Sequence, residues 1–368
     1  MSLVDLLETS VHKAFFEALR SGLWGRRPDP AAFQSLSRDE WSRLYKLSTL
    51  QTVEGIVCEG IQQLSPEVLP PKDILAKWMV RLQHIEERNG WMNEVLSDQI
   101  AFFEKHNLHP FLQKGQGVAR YYRRPQSRVC GDIDWCFSDK KEYNRAAALM
   151  KKHGQGLKIG HGYSLSYTWK GCDIEHHQRL VELRNPFVQG YLKGLSRSTS
   201  YPPVPVEFGE QVAYIPHPIL NILLVNAHIL KHLVVYGIGT RQLCDAARLY
   251  DALHNQFDPN ALRVVYERTG ILKWSYVLHE LLVNYIGLDR KKLPFEQEAP
   301  EDAAWMMADI LKGGNFGFYN TEGKDETKSL DKPARVKKFF SRFYRYARLA
   351  PGETISSPFM IMFSKIDH

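Results

Sequence analysis

Asp132-Ile133-Asp134 and Asp173-Ile174-Glu175 each hold two carboxylates two residues apart. In an extended strand alternate side chains share a face, so each pair projects together. Like charges held side by side repel unless a cation sits between them. Hard oxygen donors favour Mg²⁺, which keeps waters and takes substrate phosphate oxygens as further ligands. A third carboxylate from a neighbouring strand would complete a two-metal site, with ions roughly 3.5–4 Å apart clamping the attacking and leaving oxygens. Upstream, Lys114-Gly115-Gln116-Gly117 is a glycine turn whose backbone N–H groups can approach a triphosphate. Lys114 and Arg128 supply charge to neutralise it. Alone, a D-x-D is usually a solvated pair and a G-x-G usually a turn. Here Trp135, Cys136 and Phe137 follow the aspartates, so the pair lies at the mouth of a buried strand, where an uncompensated charge is costly.

The elements that must position these residues follow from periodicity. His109–Gln113 reads as a strand, Gly117–Arg123 as a helix, Arg128–Phe137 as a strand and Lys141–His153 as a helix. Ser164–Trp169 and Cys172–His177 read as strands joined by the Lys170-Gly171 turn. This is an α+β pattern with a mixed sheet. Before it, Ser37 and Glu40 make a capping box, and Trp41, Leu44, Leu47, Leu50, Val53, Ile56 and Val57 follow at helical spacing. Residues from Ile74 to His106 are helical again. After the sheet, Pro218 opens an apolar helix, Ile219–Tyr236, ended by Gly237 and Gly239, and Thr240 can cap a helix over Arg241–Leu253. The expected organisation is a helical region over 1–105, a nucleotide-handling core over 106–215 and a helical region over 216–368, with the active site between the sheet and Ile219–Tyr236.

Composition narrows the class. The 368 residues are 44% hydrophobic and 24% charged, which suits a folded chain of more than one unit. The net charge of +7 suits anionic ligands but is not concentrated as in a dedicated nucleic-acid binder. The five cysteines are odd in number and form no CxxC pair, which argues against a disulfide framework or a structural zinc site. Charged residues interrupt the N-terminal apolar stretch, unlike a signal peptide, and Ile219–Tyr236 carries Asn221, Asn226, His228, Lys231 and His232, unlike a membrane span. The expectation is a cytoplasmic protein with no membrane partner.

The stretch Leu112–Phe137, LQKGQGVARYYRRPQSRVCGDIDWCF, resembles the signature of the DNA polymerase β-like nucleotidyltransferase superfamily. More narrowly it resembles the bacterial uncharacterised nucleotidyltransferase family, with a KG turn, an Arg before a G-D-x-D strand and a later carboxylate–x–His strand, here Glu175-His176-His177. Lys231-His232, Arg241 and Asp245 fit that family's helical elements, and the likeness runs roughly from Trp41 to Arg348. The turn differs: Lys114-Gly115-Gln116 stands where the superfamily usually has Gly-Ser or Gly-Gly. The resemblance implies that Asp132, Asp134 and Glu175 are catalytic and bind Mg²⁺. Asp173, on the same strand face, is the reserve ligand; Glu175 is favoured because His177 follows it by two. Lys114, Gly115, Gly117, Arg128, Lys231 and Arg241 would handle the nucleotide, ATP or another NTP. The acceptor would be a small molecule, tRNA or protein. The layout is also similar to toxin-type nucleotidyltransferases of abortive-infection systems. A non-catalytic nucleotide binder and a basic RNA-binding protein are the other readings, opposed by the intact carboxylates and the dispersed charge.

Lys231 lies on a mostly apolar helix and needs an anion: NTP phosphates, or an acid such as Asp245. His228 and His232 share a helical face, but Ile229 stands where a metalloprotease has Glu, so a hydrogen-bonded core role is the plainer reading. His176 and His177 could be a base, a metal ligand or, more plainly, orienting groups. The basic and aromatic residues after Ala334 read as an amphipathic helix with Phe339, Phe340, Phe343 and Tyr346 buried.

Overall fold

The computed structural model describes residues 7–159, 164–235, 237–295, 303–315 and 343–363. It opens with helices α1 (Ser10–Trp24), α2 (Arg38–Leu50), α3 (Glu54–Ile61) and α4 (Lys72–Lys105). The Ser37–Glu40 capping box is present at the start of α2. The helical run expected to reach Val57 breaks at Thr52, whose φ is 55°. The break is anchored from outside: Gln51 Nε2 donates to the carbonyls of Ile310 and Leu311. A side chain at Gly55 would meet Ser127 O at 2.2 Å, so glycine lets α3 touch the segment leading into the aspartates.

Seven strands form one mixed sheet in the order β3-β4-β5-β2-β1-β7-β6. They are β1 (Phe111–Gln113), β2 (Ile133–Cys136), β3 (Gln155–Ile159), β4 (Ser164–Trp169), β5 (Cys172–His177), β6 (Val204–Phe208) and β7 (Gln211–Ile215). β4 and β5 match expectation residue for residue. β2 is shorter than expected, because the backbone before it bonds to a helix instead of a strand: Asn89 Nδ2 of α4 donates to the carbonyls of Gln126 and Arg128. β3, β6 and β7 had no sequence-based expectation. Helices α5 (Lys114–Ala119), α6 (Lys140–His153) and α7 (Gln189–Ser196) connect the strands, and α5 starts three residues before the helix expected there.

The chain continues through α8 (Pro218–Val235), α9 (Thr240–Leu253), α10 (Pro259–Thr269), α11 (Leu272–Leu281), α12 (Ala304–Gly313), a helical stretch at 343–349 and α13 (Pro351–Phe363). Gly239, not Thr240, takes the N-cap of α9; a side chain there would come within 2.8 Å of Gln51 O. α8 is long and apolar enough to cross a membrane, but most of it is buried against protein. Tyr346 is buried as expected, whereas Phe339 and Phe340 lie outside the described residues.

Two cores hold this arrangement. α1 to α3, the first half of α4 and the C-terminal helices share one, so both ends of the chain pack together. The second half of α4, through Met92, Leu96, Ile100 and Phe103, covers one face of the sheet around Ile133, Trp135 and Ile174. The opposite face, carrying Gln113, Asp134 and His177, is turned toward α8. Hydrophobic burial thus fixes the sheet from one side and leaves polar side chains on the other.

Candidate active site

β2 and β5 run parallel with Asp134 opposite Glu175. Registered residues share a face, so both carboxylates project toward α8 with His177 two residues on. Asp132 sits just before β2. The structure therefore brings Asp134 and Glu175 together from adjacent strands. Asp173 shares the face but is exposed at the outer part of β5.

The turn between β1 and α5 aims Lys114 at this centre. Lys114 has φ 40° and Gly115 φ 35° with ψ −121°, outside helical geometry. A side chain at Gly115 would stand 3.2 Å from Asp132 O. A lysine in the left-handed region is strained, and such strain is held by surrounding structure, often at functional sites. Here it directs Lys114 Nζ to 3.1 Å from Asp134 Oδ1. Gly117 does something different: a side chain there would touch Leu112 and Ile215, so this glycine packs on strands.

Charges alternate outward from Asp134. His177 Nε2 lies 2.8 Å from Asp134 Oδ1 and 3.4 Å from Glu175 Oε2. His177 Nδ1 is 3.5 Å from Glu182 Oε1, and Glu182 in turn binds the Lys231 ammonium of α8. Gln113, Lys114, His177, Glu182, His228 and Lys231 line a small void where the sheet meets α8.

The titration directions follow from this geometry. Asp134's charge and burial together push the Asp132 carboxyl up to about 6, against the pull of Lys114. Burial opposes charge on Asp134 as well, but Lys114 and the His177 hydrogen bond hold it far below the usual carboxylate range. Burial disfavours imidazolium, yet the Asp134, Glu175 and Glu182 carboxylates raise His177 to about 10. Burial likewise opposes the Lys114 ammonium, and Asp134 and Asp132 outweigh it. His228, half-buried among cations, is pushed well below the ordinary histidine range. One aspartate of the pair is thus neutralised by cations and the other carries the repulsion, which a further cation would relieve.

Two expected partnerships are different. Arg128, expected on phosphate, is buried and forms a fork with Asp245 of α9: Nε to Oδ1 and Nη2 to Oδ2, both 2.7 Å. Tyr122 Oη also donates to Asp245 Oδ1, at 2.6 Å. Asp245, considered as the partner of Lys231, is therefore taken by Arg128. The reason is burial: a guanidinium this enclosed needs a bidentate anion of its own. Arg241 of α9 donates from Nη1 to Val129 O at 2.6 Å, and its buried Nε has no acceptor among the described residues. Its charge bears on both Asp132 and Glu54. His228 and His232 are half-buried and pack edge to face, with centroids 4.3 Å apart.

Sequence reasoning missed Glu182. Its signal was present: an acid between Val181 and Leu183, both buried, in the loop that follows the carboxylate strand. It also missed that the cations holding the site in balance are the protein's own.

A divalent cation fits the donor chemistry. The ligating atoms of Asp134, Glu175 and His177 all lie within 4.8 Å of one another.

Among protein families, the one described as uncharacterised nucleotidyltransferase matches residues 37–285. Among solved structures, an antigenic nucleotidyltransferase-like protein from Paracoccidioides brasiliensis is similar over 48% of this chain and 87% of its own, at 12% identity and a TM-score of 0.32. No curated protein matches the chain.

Proposed function

The chain belongs to the family of uncharacterised nucleotidyltransferases, and on that premise we propose that it moves a nucleoside monophosphate from an NTP, such as ATP, to an acceptor, with Mg²⁺ as cofactor. The observation that carries this reading is the parallel register of Asp134 with Glu175, beside a strained turn that aims Lys114 at the same carboxylate. Asp132, Asp134 and Glu175 hold the cation, and Asp173 stands further out on the same face. When bound, the cation neutralises charge on the attacking and leaving oxygens of the transfer.

Lys114 now balances Asp134. Once a cation takes over that carboxylate, the ammonium is free to meet a phosphate. Lys231 and Arg241 reach the same face from α8 and α9 and serve the triphosphate or the acceptor. Gly117 and Arg128 support this machinery from the packed side: Arg128 ties the segment before β2 to Asp245. The acceptor class stays a small molecule, tRNA or protein. Cytoplasmic action belongs to the same reading, since NTPs are there and all five cysteines are free thiols.

The test is transfer of label from each α-labelled NTP into components of a cell extract, with pyrophosphate release measured alongside. Asp132→Asn keeps the side chain's shape and removes a charged ligand. It should lower the rate by about 10²–10³, the size seen when one electrostatic stabiliser is lost, with the fold unchanged. Undiminished release from this variant sinks the assignment, and an absence of label with every NTP leaves nucleotide binding without catalysis as the better reading.

A further inference from the structure

His177 meets a carboxylate at each ring nitrogen. Nε2 faces Asp134 and Glu175, at 2.8 and 3.4 Å, while Nδ1 faces Glu182 at 3.5 Å. Metal-ligating histidines are built this way: one nitrogen points at the ion, and an outer carboxylate on the other fixes tautomer and ring orientation. The outer carboxylate is itself pinned, because Glu182 binds Lys231 of the neighbouring helix. Among the described residues, Asp134, Glu175 and His177 are the group whose His and carboxylate donors converge within 4.8 Å.

We propose that Asp134, Glu175 and His177 form a divalent-cation position with one imidazole nitrogen among its ligands, for which Glu182 and Lys231 are positioning residues. This position differs chemically from the all-oxygen one offered by Asp132 with Asp134. Imidazole donors suit first-row ions such as Fe²⁺, Ni²⁺ and Zn²⁺, whereas Mg²⁺ keeps to oxygen and water; Mn²⁺ takes oxygen readily and serves below as a paramagnetic probe of the position. Two positions sharing Asp134 thus select different ions: Mg²⁺ beside Asp132, and a first-row transition ion beside His177. The pairing of the two rests on the transferase reading; the His177 position does not. Lys114 also holds Asp134 Oδ1, so filling the position exchanges an ammonium contact for a metal bond and releases the His177 Nε2 proton to solvent, since the ligand is the neutral imidazole.

The experiment uses the full-length protein, stripped with EDTA and titrated with Mn²⁺ in the absence of NTP. Electron spin-echo spectra of the bound Mn²⁺ should carry nitrogen hyperfine couplings from a directly bonded imidazole. His177→Gln should remove those couplings. Glu182→Gln should keep them while weakening Mn²⁺ binding about 10–100-fold, the usual cost of losing a group that orients a ligand. Mg²⁺ should compete only in excess. Bound Mn²⁺ without nitrogen coupling in the unmodified protein overturns the proposal, as does coupling that survives His177→Gln or a failure to bind Mn²⁺ at all. The unmodified protein alone decides the first point, whatever the variants do to folding. A protein that shows the coupling but transfers no nucleotide keeps this inference and loses the other reading. Transfer without nitrogen coupling does the reverse.

Discussion

Helix α8 carries polar groups into two clusters, one half-buried against the sheet and one fully buried among helices. On the sheet side, Lys231 and His228 face Lys114, His177 and Glu182, and Lys114 and His177 in turn hold Asp134. On the helical side, Asn226 Nδ2 donates to the hydroxyls of Tyr250 and Tyr266, and His279 Nε2 lies 3.1 Å from the Tyr250 hydroxyl. The first cluster is ionic, and His177, which meets three carboxylates, is raised to about 10 despite burial, while His228, beside cations, is lowered. The second is neutral, and burial pushes its histidine down to about 3. Burial acts the same way on His177 and His279, so the partners decide the sign. Charges held against one another can be exchanged for a charged ligand, whereas neutral hydroxyls and amides serve to fix helices in place. The difference separates a site from a joint.

The largest effect that would break this contrast is expected at Asp134. Asp134→Ala leaves Lys114 and His177 without the oxygen they share, and losing one partner of a buried ionic group costs about 3–5 kcal/mol. Asp132→Ala should instead be close to neutral, because it removes the repulsion that raises Asp132. Urea denaturation of both variants, without metal, checks the ordering. Equal losses would mean that the two aspartates are not the unlike pair described here.

Much of the sheet side was legible in the sequence. Alternation gave β4 and β5 their bounds, the flanking Trp135, Cys136 and Phe137 marked the aspartates as enclosed, and the family-like carboxylate–x–His spacing favoured Glu175 over Asp173. Partner choice was not legible. Arg128 and Lys231 each needed an anion, but nothing local says that Arg128 takes Asp245, 117 residues away, or that Lys231 takes Glu182. The strand pair β6–β7 was missed because exposed and buried positions there alternate too weakly in hydrophobicity to stand out. The neutral cluster was invisible too: Asn226, Tyr250, Tyr266 and His279 come from four helices whose packing joins them.

A smaller effect, with the opposite pH sign to a raised histidine, is expected from His279. Its folded pKa, about 3, lies below the unfolded value near 6.5. A lowered group contributes its stability above the unfolded pKa and loses it as pH falls toward the folded one. Between pH 7 and pH 5 this ring alone should cost roughly 2 kcal/mol. His279→Leu is therefore expected to be less stable than the parent at pH 7, having lost the Tyr250 contact, but to lose less on acidification. Parallel slopes for parent and variant, from denaturation at several pH values, would show that the ring is hydrated and outside the neutral cluster.

The smallest effect tests whether that cluster is a joint and nothing more. Tyr266 is wholly buried, and its hydroxyl receives Asn226 Nδ2 and lies 3.0 Å from the Tyr250 hydroxyl. Tyr266→Phe removes one hydroxyl from a shared network and adds no bulk. Asn226 keeps Tyr250 as an acceptor, so no donor is stranded. The cost should therefore match a single net hydrogen bond, about 0.5–1.5 kcal/mol. Because the network meets no charged group of the sheet cluster, nucleotide and Mn²⁺ affinities should stay at parental values. Paired measurements of denaturation midpoint and Mn²⁺ titration resolve this directly. A variant that loses metal affinity along with stability would show that α8 transmits strain from one cluster to the other, and that the two are one mechanical unit.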